Sequence, residues 1–393
     1  MSAAELDLEQ LLEDLVRIDS RNPSLAADSP GEEPLNDALD ALLSGMGLRV
    51  TREPVLPGRD NLVAVLPGVD SSATVVFEAH LDTVPADAAV REVRREGRRL
   101  FGRGTCDTKA SLAAMIGAIQ RIASTAGPRP TVILAAACDE EYIMRGGAAL
   151  ARTLPSADLV VVGEPTSLRP ARAHNGLIRF AVTVVGRAAH SSKAELGINA
   201  IAQASELVLA LDATVGKLRR ETRHPLTGSA LLSATLIEGG TAPNVVPDRC
   251  VVWFDRRVAP DEDPRVAMEE IRTVIRQVAD ARSITVVVDE PIIALGGLET
   301  AADSIAVRAA EAAASRALGA DVVASGVTFA TDACCFFERP DLPAVVLGPG
   351  SIDQAHTDSE WVDLDEVLAA RDLYADLART VHELRSEETA RAS

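Results

Sequence analysis

The sequence predicts an α/β protein whose main domain is interrupted by a smaller domain of ferredoxin-like order. Three observations lead there. Several strand-like runs are short and continuously apolar, the pattern of strands covered on both faces. These runs alternate with stretches of helical periodicity, as in a layered α/β sheet. From about Asn175 the texture becomes strand, helix, strand, strand, helix, strand, a complete split βαβ plan, before the first texture resumes. A length of 393 residues agrees with two domains.

Taken in order, Leu8, Leu11, Leu12, Leu15 and Val16 recur at helical spacing and open the chain with an amphipathic helix. Asp19-Ser20-Arg21-Asn22-Pro23 stops it, because proline and its preceding residue disfavour the helix. A second helix is expected over 34–46, strands over 62–66 and 74–77, and a helix over 109–124. Strands at 131–137 and 159–162 follow. The insertion then reads as strand 178–186, helix 197–215, strands 231–238 and 249–256, helix 264–279 and strand 284–288. An Ala-rich helix at 304–318, a strand at 344–347 and a closing helix from Asp365 complete the chain. We therefore place the interrupted domain at 1–175 and 292–393, and the insertion at 176–291.

Composition removes several classes. Lys and Arg number 39 against 58 Asp and Glu, a net charge of −19, so a phosphate backbone would be repelled and no nucleic-acid partner is expected. Aromatic residues make up only 3%, which leaves the core to Ala, Val, Leu and Ile. The five cysteines form no CxxC pair and are odd in number, which argues against a disulfide framework. The N-terminus lacks the basic and apolar regions of a signal peptide, and no run of about 18 apolar residues exists. A reducing cytoplasm, without membrane association, is the expected setting. No phosphate loop, nucleophile elbow, dinucleotide fingerprint or HExxH helix is present.

The chemistry lies just beyond the strands. His80-Leu81-Asp82 follows the strand at 74–77, Asp139-Glu140-Glu141 the strand at 131–137, and Glu164 the strand at 159–162. His356 stands nine residues beyond the strand ending at Leu347, and Asp107 opens the helix at 109. In open α/β sheets ligands gather at the carboxyl ends of the strands. Two imidazoles and several carboxylates there make a metal-site constellation assembled through space. Singly, each acid also reads as a solvated loop charge, Asp107 as a helix cap and His80 as a hydrogen-bonded core histidine. Their joint occurrence at one edge favours the metal site.

These segments also resemble a family. His80-Leu81-Asp82-Thr83-Val84-Pro85, Gly102-Arg103-Gly104-Thr105-Cys106-Asp107-Thr108-Lys109, Asp139-Glu140-Glu141 and Gly163-Glu164-Pro165-Thr166 look like the successive motifs of the M20 dinuclear zinc amidohydrolases. Within that family, the stretches 164–170, 186–192 and 348–356 look most like the branch of acetylornithine deacetylase and succinyl-diaminopimelate desuccinylase. The resemblance spans nearly the whole chain. It implies a zinc-peptidase-like catalytic domain, with the insertion serving as a dimerisation or lid domain in a homodimer.

Carried over by position, the resemblance implies that Asp107 bridges two divalent ions. His80 and Glu164 would complete one site, Glu141 and His356 the other. Nitrogen and oxygen donors without thiolate suit zinc, with cobalt or manganese as substitutes. Glu140 would be the general base, and Asp82 would orient the His80 ring through its free nitrogen. His190 would reach the partner subunit's site and stabilise the oxyanion. Asn244 and Arg257 would bind substrate, Arg257 as a carboxylate clamp suited to its planar fork; a solvated strand-end charge is the competing reading of that arginine. The implied reaction is hydrolysis of the amide of a small N-acyl amino acid. A dipeptidase or carboxypeptidase with the same metals is the first alternative, and a non-catalytic binding protein of the same fold the second. Thr331-Asp332 departs from the Thr-Glu pair frequent in acetylornithine deacetylases, so the accepted side chain is open.

Overall fold

A computed structural model describes residues 6–221 and 223–392. The chain divides into two compact units: one holds the described residues up to Arg172, Thr300–Ser325 and those from Thr331 onward, the other Ala173–Glu299 and Gly326–Ala330. No helix among the described residues is long and apolar enough to cross a membrane.

In the first unit the sheet runs in the order Arg49–Leu56, Arg59–Leu66, Thr131–Ala137, Thr74–His80, Leu159–Val162, Ala344–Val346 and then the strand that begins at Ala171. The four strands from Thr131–Ala137 to Ala344–Val346 are mutually parallel, so their carboxyl ends share one edge. Thr74–His80 pairs with Thr131–Ala137 from Thr74↔Thr131 to His80↔Ala137. That register sets His80 level with the start of the loop carrying Glu140 and Glu141. Both strands are buried along nearly their whole length, which is why neither alternates.

The helix Lys109–Ser124 buries most of its surface. Its Leu112, Met115, Ile116 and Ile119 join Phe77, Leu134 and Val161 of the sheet, and Leu373, Tyr374 and Leu377 of Leu364–Ala392, in one core. Leu12 and Leu15 of the opening helix Leu8–Arg17 close the same core. Side chains alternate across a strand, so Phe77 faces that core while Glu78 and His80 face the opposite side.

At one edge of this sheet two adjacent strands escape the apolar pattern. Arg49–Leu56 was not anticipated, because an edge strand carrying Arg49, Arg52, Glu53 and Pro54 has no apolar run to display. Arg59–Leu66 begins three residues earlier than its apolar part, at polar positions that pair with that edge. The helix Arg145–Thr153, also unanticipated, has Gly146 in its first turn pressed onto Cys138 at the strand end, and Gly147 against Asp332.

The second unit is an antiparallel sheet ordered Leu231–Gly239, Arg249–Val258, Gly176–Val185, Thr285–Val288. Ala204, Leu207 and Leu211 of Ala200–Glu221, with Ile271 and Ile275 of Pro264–Arg282, pack on Phe180, Val182 and Phe254. The Phe180 and Phe254 rings stack at 5.5 Å. The elements follow in the β-α-β-β-α-β order that the sequence suggests.

A side chain at position 146 has nowhere to go. A Cβ there would collide with the backbone of Cys138 and with Asn61 Oδ1. Gly146→Ala is therefore expected to lower stability by about 1–3 kcal/mol, the usual cost of overpacking. Chemical denaturation beside the wild type measures it, and unchanged stability would show that the helix entry can shift.

Candidate metal centre

Parallel pairing brings the strand ends together, and the side chains converge on Asp107. His80 Nε2 lies 2.9 Å from Asp107 Oδ1 and 3.6 Å from Glu164 Oε1. His356 Nε2 lies 3.1 Å from Asp107 Oδ2 and 3.0 Å from Glu141 Oε2. Each Asp107 oxygen therefore addresses its own imidazole. One donor atom each from His80, Asp107 and Glu141 falls within 4.8 Å of the other two, a group able to hold a metal ion. Cys106, although adjacent, turns its Sγ to the carbonyl of Ser351.

Two left-handed residues shape the loops. Asp139 at φ 67° turns the strand Thr131–Ala137 at once into the short helix Glu140–Ile143, and His356 itself sits at φ 59°. Aspartate and histidine are among the residues that adopt this conformation more readily than most.

Buried carboxylates fasten the loops. Glu360, fully buried, accepts from the backbone N–H groups of Gly104, Cys106 and Asp107 through Oε1 at 3.0, 2.8 and 3.0 Å. Its Oε2 pairs with Arg103 at 2.6 Å. Asp82 does the equivalent for the acid pair: Oδ1 accepts from Glu140 N at 3.0 Å and Oδ2 from Glu141 N at 3.1 Å. This corrects the role expected of the Asp82 carboxylate. His80 Nδ1 bonds the Asp82 backbone carbonyl at 2.8 Å, whereas the carboxylate stands 3.9 Å off. The main chain orients the ring, and the side chain is occupied by the neighbouring loop. Glu360 escaped sequence reading because it contacts Asp107 across 253 positions.

Charge is crowded here. Burial, and then the Asp107 carboxylate, push Glu164 well above the ordinary carboxyl range. Burial also raises Glu140, with Asp332, Glu141 and Asp107 adding to it against the opposing pull of His80. Burial works against charging His80, yet its bond to Asp107 and the nearby Glu164 raise its pKa. Asp332, 1% exposed, lies in a buried layer with Glu78 and against Gly147.

The remaining candidates belong to the second unit. Ala189↔Val246 and His190↔Val245 pair in a two-stranded ribbon, and Ser191 N donates to the Asn244 carbonyl at 3.0 Å, so His190 and Asn244 are neighbours. Both are exposed. His190 Nδ1 accepts from Ser192 N at 3.1 Å. Arg257 pairs with Asp255 at 2.8 Å, and Asp255 also takes Arg179 at 3.1 Å.

Residues 76–380 match the profile of peptidase family M20/M25/M40. The chain belongs to that family. It is 31% identical to acetylornithine deacetylase of Vibrio cholerae serotype O1 over 367 residues, covering 90% of this chain and 93% of that one. In fold it is similar to an M20 family metallo-carboxypeptidase from Sulfolobus solfataricus, with TM-score 0.78, 17% identity and coverage of 96% and 100%. It is also similar to a dinuclear metal binding peptidase of Bacillus subtilis, with TM-score 0.69, 18% identity and coverage of 96% and 98%. Family, fold and ligand cluster together make this chain a metal-dependent hydrolase.

In the metal-free protein, hydrogen bonds to Asp107 and Glu141 raise the pKa of His356 to about 10, so its ring is charged at neutral pH. A cation takes only the neutral ring. Adding zinc at pH 7 should thus release at least the His356 proton, and affinity should tighten as pH rises toward that value. An indicator dye in weak buffer measures the release; none would contradict a charged His356.

Proposed function

We propose that this protein is an acetylornithine-like deacetylase, cleaving the amide of a small N-acyl amino acid with two bound divalent ions, zinc foremost. The observation that carries the reading is Asp107, with one imidazole and one further carboxylate on each side of it. With Asp107 shared by both sets, His80 and Glu164 would hold one ion and Glu141 and His356 the other. Donors of nitrogen and oxygen only fit zinc, with cobalt or manganese as substitutes. When bound, the ions would supply Lewis-acid polarisation of the acyl carbonyl and a lowered pKa for bound water.

The protein's own groups do the rest. Glu140, whose surroundings raise its proton affinity, takes the proton of the attacking water and returns it to the leaving amine nitrogen. Because Ser192 N–H donates to His190 Nδ1, the neutral ring carries its proton on Nε2, the tautomer that donates a hydrogen bond. That donor suits the oxyanion of a partner subunit's site in a homodimer. Asn244 on the same ribbon contacts substrate across the interface, and Arg257 clamps a substrate carboxylate. The insertion is the dimerisation domain: its edge strand Leu231–Gly239 leaves Leu236 and Ile237 51% and 52% exposed, and Leu209 on the adjoining helix is 71% exposed. All five cysteines are free, in keeping with a reducing cytoplasm.

Turnover of N-acetylornithine, other N-acyl amino acids and dipeptides by zinc- and cobalt-loaded protein tests the reading. Deacylation should dominate, and Glu140→Ala should lower kcat by about 10²–10⁴-fold with metal content kept. Glu141→Ala should instead lose metal. Preferred cleavage of dipeptides would favour the peptidase alternative, and no turnover of the panel would oppose both.

A shared site makes a separate prediction. Glu140→Ala and His190→Ala homodimers, each inactive, are co-expressed so that hybrids form. One site per hybrid then combines an intact Glu140 with the other chain's intact His190. Random association should restore up to about a quarter of wild-type activity. Verified hybrids without recovery would place His190 in its own chain's site.

A further inference from the structure

Asn22 lies in the turn that ends the first helix, fully buried, and none of the roles above uses it. Its side-chain amide stands between two carboxylates: Nδ2 donates to Asp82 Oδ2 at 2.7 Å and to Asp139 Oδ1 at 3.1 Å. The orientation of the amide is fixed independently, because Oδ1 accepts from Ser24 N at 2.9 Å. Its backbone is pinned as well, Asn22 N donating to the Thr83 carbonyl at 2.8 Å.

These contacts bear on the acid pair. Glu140 and Glu141 are consecutive, so a small rotation of their shared peptide would redirect both side chains. Asp82 restrains that peptide through the Glu141 N–H, and the peptide before it through the Glu140 N–H. What restrains Asp82 is Asn22, one amide hydrogen to Asp82 and the other to Asp139, whose left-handed turn launches the pair. Asp139 is held from behind by Arg59 at 3.0 Å and Arg145 at 3.2 Å, and Glu32 pairs with Arg59. An aspartate at position 22 would face two carboxylates; an alanine would leave their oxygens without this donor.

We propose that Asn22 is a positioning residue for the base and the adjacent ligand, acting through Asp82 and Asp139 on the Glu140–Glu141 peptide. This rests on the roles given to Glu140 and Glu141 above. The test compares wild type with Asn22→Ala, and with Asn22→Ser, whose single hydroxyl proton reaches at most one carboxylate and which carries the test if the alanine variant does not fold.

Hydrogen exchange read by mass spectrometry, on metal-free and zinc-loaded protein, should show residues 138–144 exchanging about tenfold faster while the strands of the first unit are unchanged. With whichever panel substrate is turned over, kcat should fall about 10–100-fold at full zinc content, with KM within about threefold. Exchange unchanged at 138–144, or raised evenly through the unit, would overturn the proposal, as would kcat within about twofold of wild type. The exchange measurement needs no substrate, so it decides the positioning role even if the deacylase reading fails.

Discussion

The rest of the first unit is organised around one carboxylate shared by two imidazoles. Asp107 meets His80 through one oxygen and His356 through the other, and this pairing requires that loops after several different strands arrive at one point. Around it stand Glu140, Glu141 and Glu164, with Glu78 and Asp332 buried behind. Taking such charges out of water costs several kcal/mol each unless they are paired. Raised proton affinities on Glu140 and Glu164 register that cost. A bound divalent cation would add counter-charge to that donor set.

Crowding of this kind must be enforced, and backbone amides enforce it. Glu360 gathers three N–H groups of the loop bearing Asp107, and Asp82 gathers the N–H groups of Glu140 and Glu141. Hydrogen bonds to an ionised acceptor are roughly twice as strong as neutral ones. Each clamp also joins segments distant in sequence, so neither of these two loops depends on its own turn alone. The sheet contributes the coarse placement through parallel register; the clamps contribute the fine one.

Legibility followed covalent distance. The strands Thr131–Ala137 and Leu159–Val162 and the helix Lys109–Ser124 carry their burial in unbroken apolar or periodic runs, and their limits could be read directly. Arg49–Leu56 could not, because an edge strand with charges and a proline resembles a loop. Candidate ligands were visible because His80, Glu141 and Glu164 follow readable strands within a few residues, Asp107 opens a readable helix, and His356 stands nine residues beyond a readable strand. Glu360 and Asn22 were not, since their partners lie 253 and 60 positions away and nothing local marks either residue. Asp332 drew notice as a substrate-loop acid, yet at 1% exposure it belongs to the layer beneath the site. Sequence position suggested the neighbourhood; only packing distinguishes facing substrate from supporting those that do.

The two units answer to different demands. Candidate ligands that must tolerate mutual repulsion sit in the first, where buried carboxylates clamp the loops of Asp107 and of Glu140–Glu141. In the second, His190 and Asn244 are exposed on a two-stranded ribbon, and their local bonds set a tautomer rather than a buried charge. On the proposed reading, the oxyanion donor and the substrate contacts can therefore vary without disturbing Asp107 or its imidazoles. That separation of charge-holding from substrate contact is a physical route by which one metal-dependent scaffold accommodates different amides.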